Sequence, residues 1–231
     1  MALTFQAYAT NNPCYQAAQK MPAGSPAGII VHSTGANNPN LKRYVNAPEI
    51  CGINENKNYY DREMSGCPHA VIGLDKYGDV RAAKLLPWTI CCWGCSSGKN
   101  GSYNYNPAYI QFEICEDNLG SEAYFNECFD LAAKLCVRLM HNYPTIKLEN
   151  IISHKEAHAR GYANNHADCD HWLAKFSKSM YWFRNKVANY MSAYATKYNV
   201  LAVKTVEENE LETVKKKLEL LGFVYTIEMH I

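Results

Sequence analysis

Apolar residues first gather at residues 27–32 (AGIIVH), a short, partly β-branched run that closes on a polar residue, as a buried strand does. Residues 1–26 are polar, with Pro13, Pro22 and Pro26, and are expected to form an irregular lead-in. Residues 33–40 (STGANNPN) are dense in turn formers and read as a loop. Residues 69–74 and 80–86 flank the turn sequence DKYGD and predict a hairpin. Residues 88–107 mix Trp, Cys, Gly, Ser and Asn without a period. Over 109–115 the alternation is clean: Ile110, Phe112 and Ile114 face one way, Gln111 and Glu113 the other.

Residues 121–143 predict a helix. Ser121 can cap it, and Phe125, Cys128, Phe129, Ala132, Leu135, Cys136 and Leu139 recur at helical spacing. A short strand is expected over 147–153, a polar loop over 154–169, and one long helix over 170–198 with Trp172, Phe176, Met180, Phe183, Val187 and Tyr190 on a stripe. Near residue 199 the composition shifts. Residues 200–206 alternate as a strand, 207–221 are amphipathic, Gly222 sits where a helix stops, and 223–229 form a second strand. This βαβ tail is too small to hold a core alone, so it must dock or self-associate. The expected organisation is therefore an α/β domain over 1–198, a central mixed β-sheet flanked by helices, with a small appendage over 199–231.

Composition narrows the function classes. Of 231 residues, 48% are hydrophobic and 19% charged, which excludes a largely disordered chain. The net charge of +1 supplies no field for recruitment to nucleic acid or an anionic surface. No apolar run approaches the roughly 20 residues of a membrane span. Residues 1–20 lack a basic patch followed by an apolar stretch, so no secretory signal and synthesis in the cytoplasm are expected. The 10 cysteines are then expected as reduced thiols. Cys92-Trp93-Gly94-Cys95 has no second CxxC nearby, so a zinc knuckle is disfavoured against loop thiols or an oxidation-dependent crosslink. The 17 tyrosines fit a wet sugar- or peptide-binding surface, and equally an ordinary set of half-buried rings.

The histidines carry the candidate chemistry. His32 closes a buried strand, His154 follows another, and His166 and Asp168 lie in the loop before a helix. Polar residues at strand ends converge at one edge of an α/β sheet. Two imidazoles and one carboxylate suit Zn²⁺ with a fourth position open. By spacing alone, hydrogen-bonded structural histidines remain the alternative.

Four segments bear a resemblance that spacing does not. Gly28-Ile29-Ile30-Val31-His32-Ser33-Thr34 resembles the first ligand strand of the type 2 N-acetylmuramoyl-L-alanine amidases. Ile110 to Glu116 (IQFEICE) resembles that family's strand with a catalytic glutamate. Residues 152–161 and 165–172 (NHADCDHW) resemble its ligand-bearing C-terminal segment, the last being most similar to phage endolysins. The resemblance runs in order over roughly residues 25–195. It implies a zinc cleft with His32, His154 and Asp168 as ligands, Glu113 and His166 as catalytic residues, and peptidoglycan as partner. His69, Trp93 and Arg160 (with His158) are the candidates for substrate contact, with a structural histidine at 69 and a solvated loop at 158–160 as the equal alternatives. Where many relatives have Trp-His-Ala-Gly, this chain has Trp93-Gly94-Cys95-Ser96; where many have lysine, it has His166; where proline commonly follows the third ligand, it has Cys169, an alternative ligand that the register disfavours.

The resemblance implies a zinc-dependent hydrolase of the bond between N-acetylmuramic acid and L-alanine, acting on the wall as a phage-type endolysin after release from the cytoplasm. A cytoplasmic wall-recycling amidase and a non-catalytic peptidoglycan-binding protein are the rivals. The tail favours the lytic role, as a wall-directed or homo-oligomerising module.

Overall fold

The computed structural model describes residues 3–53, 58–60 and 66–202. In chain order they form β1 (Thr4–Gln6), α1 (Pro13–Ala17), β2 (Gly28–Asn37), α2 (Pro48–Cys51), β3 (Ala70–Leu74), β4 (Val80–Lys84), β5 (Tyr109–Glu116), α3 (Glu122–Asn142), β6 (Ile151–Ser153), α4 (His154–Ala159), α5 (Asp170–Lys175) and α6 (Met180–Ala202). The chain divides into two compact units, Met1–Met191 and Ser192–Ile231. The strands make one mixed sheet in the order β1-β4-β3-β5-β2-β6. The β3–β4 hairpin is antiparallel and the other pairs are parallel. Among the described residues no helix is long and apolar enough to cross a membrane.

Both faces of the central strands are covered, which explains their continuous apolar runs. Ile29, Val31, Ile110 and Phe112 point into the larger core with Phe125 and Phe129 of α3, Trp172 of α5 and Phe183 of α6. Ile30 and Ile152 point the other way, onto Cys95, Tyr103 and Tyr109. Period-2 alternation therefore sends Gln111 and Glu113 to this second face. Ser121 caps α3 by accepting the Tyr124 N–H at 3.2 Å. At Gly28 the strand passes so close to its neighbours that an added Cβ would lie 2.4 Å from Tyr109 Cε2 and 2.5 Å from the Asn150 carbonyl oxygen. Gly28→Ala is expected to cost about 1–3 kcal/mol through overpacking. The check is a lower urea midpoint at unchanged slope; an unchanged midpoint would mean the strand end yields freely.

Several expectations need correction. The lead-in holds β1, paired with β4 at the sheet edge, and α1, where Asn12 accepts the Cys14 N–H at 2.9 Å and Pro13 opens the helix. The 33–40 loop is strand as far as Asn37, with its register to β5 slipping between Ser33 and Asn37. The 147–153 strand is a 3₁₀ turn, Leu148–Asn150, followed by the three residues of β6. The 154–169 loop begins with α4, which a Ser153–Glu156 capping box secures.

The long helix over 170–198 is two helices. Ser177 adopts φ 56°, the Ser177 N–H bonds the Ala174 carbonyl, and the Lys178 N–H bonds the Leu173 carbonyl. That pattern is a Schellman motif, which ends α5 and redirects the chain. α6 then runs to Ala202, so residues 200–202 are helical and not the start of a strand; no glycine or proline interrupts 180–202. The rest of the expected tail, from residue 203, lies outside the described residues.

Candidate metal centre

The site is built at the ends of β5, β2 and β6, where parallel strands gather polar residues. Across β2 and β5, His32 is in register with Glu113. Val31 pairs with Ser153, which sets His154, the first residue of α4, beside His32. Arg184 of α6 braces that corner: it bonds both Glu156 carboxylate oxygens, at 2.9 and 3.0 Å, and the Ile151 carbonyl at 3.0 Å. Asp168 enters from the loop before α5.

Three potential ligand atoms from His32, His154 and Asp168 lie within 4.8 Å of one another. His32 Nδ1 is 2.9 Å from Asp168 Oδ2 and 3.1 Å from His154 Nδ1. The opposite ring nitrogens are occupied: His32 Nε2 meets Gln111 Oε1 at 3.0 Å, and His154 Nε2 meets the Asn164 carbonyl at 3.1 Å. Each Nε2 thus donates, and each Nδ1 lone pair faces the same point. Asp168 Oδ1 is buried there with no hydrogen-bond partner among the described residues. Two lone pairs and a carboxylate oxygen converging in a buried place repel unless a cation or proton lies among them, so the donor set fits Zn²⁺. The electrostatics agree. Burial opposes charge on His32, yet the Asp168 carboxylate and Glu113 raise its pKa to about 9. Burial likewise opposes the charge on Asp168, yet His154 and His32 hold it far below the usual carboxylate range.

Over these groups opens a groove of about 720 Å³, lined by His32, Glu113, His154, His166 and Asp168 and walled by Trp93, Gly94, Cys95, Ser96 and Asn104. Burial raises the Glu113 carboxyl to about 7, with His32 opposing and Asp168 and Glu116 adding to the rise. Its Oε2 is buried with no hydrogen-bond partner among the described residues. A carboxyl in that range can take and return a proton near neutral pH. His166 is open to solvent, stacks on the His154 ring at 5.1 Å between centroids, and holds Nδ1 3.5 Å from Asp168 Oδ1.

Other candidates are not brought to the groove. His69 is fully buried behind it: Nδ1 accepts the Gln111 N–H and Nε2 donates to the Ile90 carbonyl, both at 3.0 Å. Burial lowers its pKa to about 4, so it is a neutral brace of the β5 backbone and not a substrate contact. Arg160 bonds Asn150 Oδ1 and the Glu149 carbonyl, and His158 bonds the Ala163 carbonyl; neither lines the groove. Cys169, the alternative ligand, is buried in the main core with Trp172. Cys92 and Cys95 are free and buried; burial pushes Cys92 well above the thiol range and Cys95 to about 11, which leaves no ready thiolate for a crosslink. Sequence reasoning passed over Gln111, Asn104 and Asn164, which hold the candidate ligands or the wall. His171 also reaches the groove's edge, with its Nε2 2.9 Å from Glu116 Oε1. Only Gln111 left a signal, as a polar residue sharing the Glu113 face of an otherwise apolar strand.

Known proteins agree with this architecture. The chain is similar in fold to a Staphylococcus aureus hydrolase, AmiA, solved in complex with its ligand: TM-score 0.56 and 17% identity, over 84% of this chain and 85% of that one. It is also similar to PlyL (TM-score 0.53, 21% identity, 80% of this chain and 94% of that one) and to the PlyG catalytic domain (TM-score 0.53, 22% identity, 82% and 94%). No curated protein matches it in sequence. The sequence profile that matches, over residues 22–171, spans β2 through the first turn of α5 and so takes in all three candidate ligands and Glu113; the chain belongs to the N-acetylmuramoyl-L-alanine amidase family.

Proposed function

We propose that this chain is a zinc-dependent amidase that hydrolyses the bond between the lactyl group of N-acetylmuramic acid and L-alanine in peptidoglycan. One observation carries the proposal: His32, His154 and Asp168 converge on one point beside the raised carboxyl of Glu113, at the floor of an open groove. These three would hold Zn²⁺, which when bound supplies Lewis-acid polarisation of a carbonyl and activation of water. Glu113 accepts the proton of the attacking water and returns it to the leaving amine of L-alanine. His166, on the groove side of His154, donates a hydrogen bond to the carbonyl oxygen as negative charge develops on it. Trp93 offers the substrate an aromatic face from the wall. Digestion of purified peptidoglycan should release new N-terminal L-alanine without new glycan reducing ends. Tight binding with no new N-termini would make the chain a recognition protein instead.

We further propose a phage-type lytic role, with residues 199–231 as a wall-targeting or self-association module beyond the family match, which ends at residue 171. A chain ending near Lys197 should keep zinc and cleave soluble muramoyl-peptides, yet lose oligomers in sedimentation and lyse whole walls less well. Failure of that chain to fold would instead make the tail an integral part of the amidase.

A further inference from the structure

We propose that Gln111 is the positioning residue of the metal centre: it holds His32 in the tautomer that turns Nδ1 toward His154 and Asp168, and couples that ring to the 94–104 wall of the groove. The inference rests on the metal-binding reading above. Gln111 is fully buried on β5, two residues before Glu113. Its Oε1 meets His32 Nε2 at 3.0 Å and its Nε2 meets Asn104 Oδ1 at 2.9 Å.

The direction of this chain is set from its far end. Asn104 Oδ1 also receives the Cys95 backbone N–H at 3.1 Å, and a backbone N–H only donates. Asn104 Nδ2 in turn donates to the Cys95 carbonyl. Oδ1 is therefore the acceptor, Gln111 gives it the amide N–H, and the Gln111 oxygen is left to face His32. An oxygen cannot donate, so the proton of a neutral His32 sits on Nε2 and the lone pair on Nδ1. A second-sphere partner of this kind orients a ligand ring and raises its basicity.

Glycine at 94 makes room for the relay. A Cβ there would stand 2.6 Å from Gln111 Oε1 and 3.1 Å from its Cδ. The amide and the bare backbone at 94 thus form one device, at the place where this sequence departs from Trp-His-Ala-Gly. The same wall is tied inward by Ser102 Oγ, which donates to the Ser96 carbonyl at 3.0 Å and accepts the Asn104 N–H at 3.2 Å.

The test is zinc affinity by chelator competition, with the His32 Nε2–H followed by ¹⁵N-edited NMR in the zinc-loaded full chain. Gln111→Met removes the acceptor and should weaken zinc about 10–100-fold while exposing that N–H to rapid exchange. Gln111→Glu, which as the neutral acid can repeat both bonds, should restore most of the affinity; a merely space-filling role predicts no such rescue. Gly94→Ala, which touches neither Gln111 nor a ligand covalently, should weaken zinc in the same direction, and it decides the matter if Gln111→Met fails to fold. Wild-type zinc affinity and a protected N–H in Gln111→Met, or in Gly94→Ala should the first not fold, overturn the proposal, as does a Gln111→Glu protein no better than Gln111→Met. A wild-type chain that binds no zinc overturns the metal reading itself, a distinct failure.

Discussion

Replacing His32 or His154 by alanine is expected to remove metal and hydrolysis together. Each ring offers one of three potential ligand atoms that lie within 4.8 Å of one another. A tetrahedral zinc site of four protein ligands is worth roughly 10–16 kcal/mol, or about 3 kcal/mol per ligand. The loss of one ligand is then on the order of 10²-fold in affinity, enough to empty the site during gel filtration. The alanine variants should also lose the stabilisation that zinc gives the native state by mass action, so that added zinc no longer raises their melting temperature. Metal content per chain and release of N-terminal alanine check both effects. A variant that keeps about one zinc per chain and full activity would remove His32 or His154 from the ligand set.

The parts of this molecule that were legible in the sequence are those with a local period. The 109–115 alternation, the 121–143 apolar face and the DKYGD hairpin each declare their own buried side, and β5, α3 and the β3–β4 pair follow them. Elements secured by few residues were not legible. β1 has three residues and is strand only because β4 offers it an edge. The break after α5 hangs on Ser177 in a left-handed conformation that serine seldom adopts, so the hydrophobic stripe read straight through it. The candidate ligands have no local signature either. His32 and His154 are 122 positions apart, and the resemblance, not spacing, paired them. The inward turn of His69 was hidden because a strand-end histidine looks the same whether its ring meets substrate or bonds its neighbours' backbone. Gln111 was visible as polar, but its work depends on Asn104 and Cys95 across a loop with no period.

Glu113→Gln is expected to cut hydrolysis by about 10²–10⁴-fold, the usual contribution of a positioned general base, while zinc content stays that of the wild type. The amide keeps the shape of the carboxyl but can take no proton, and Glu113 is not among the three potential metal ligands. The same substitution should raise stability, with a definite pH dependence. In the metal-free folded protein burial lifts Glu113 from its ordinary 4.5 to about 7. Between those values the folded state binds more protons than the unfolded one, so stability falls as pH rises through that window, and the full penalty stands above it. At about 1.36 kcal/mol per pKa unit the penalty is at most about 3 kcal/mol, less to the extent that the groove lets water reach the carboxylate. Urea unfolding of metal-free protein should therefore find Glu113→Gln more stable than wild type at pH 8 and nearly equal to it near pH 4.5. A variant that hydrolyses at the wild-type rate would reduce Glu113 to a polar strand residue. One that loses rate without gaining stability would show that the carboxylate is well solvated. The expected pair of results, slower and more stable, is what a buried carboxyl held ready to take a proton requires: the desolvation that makes it basic enough for catalysis is the same desolvation that strains the fold.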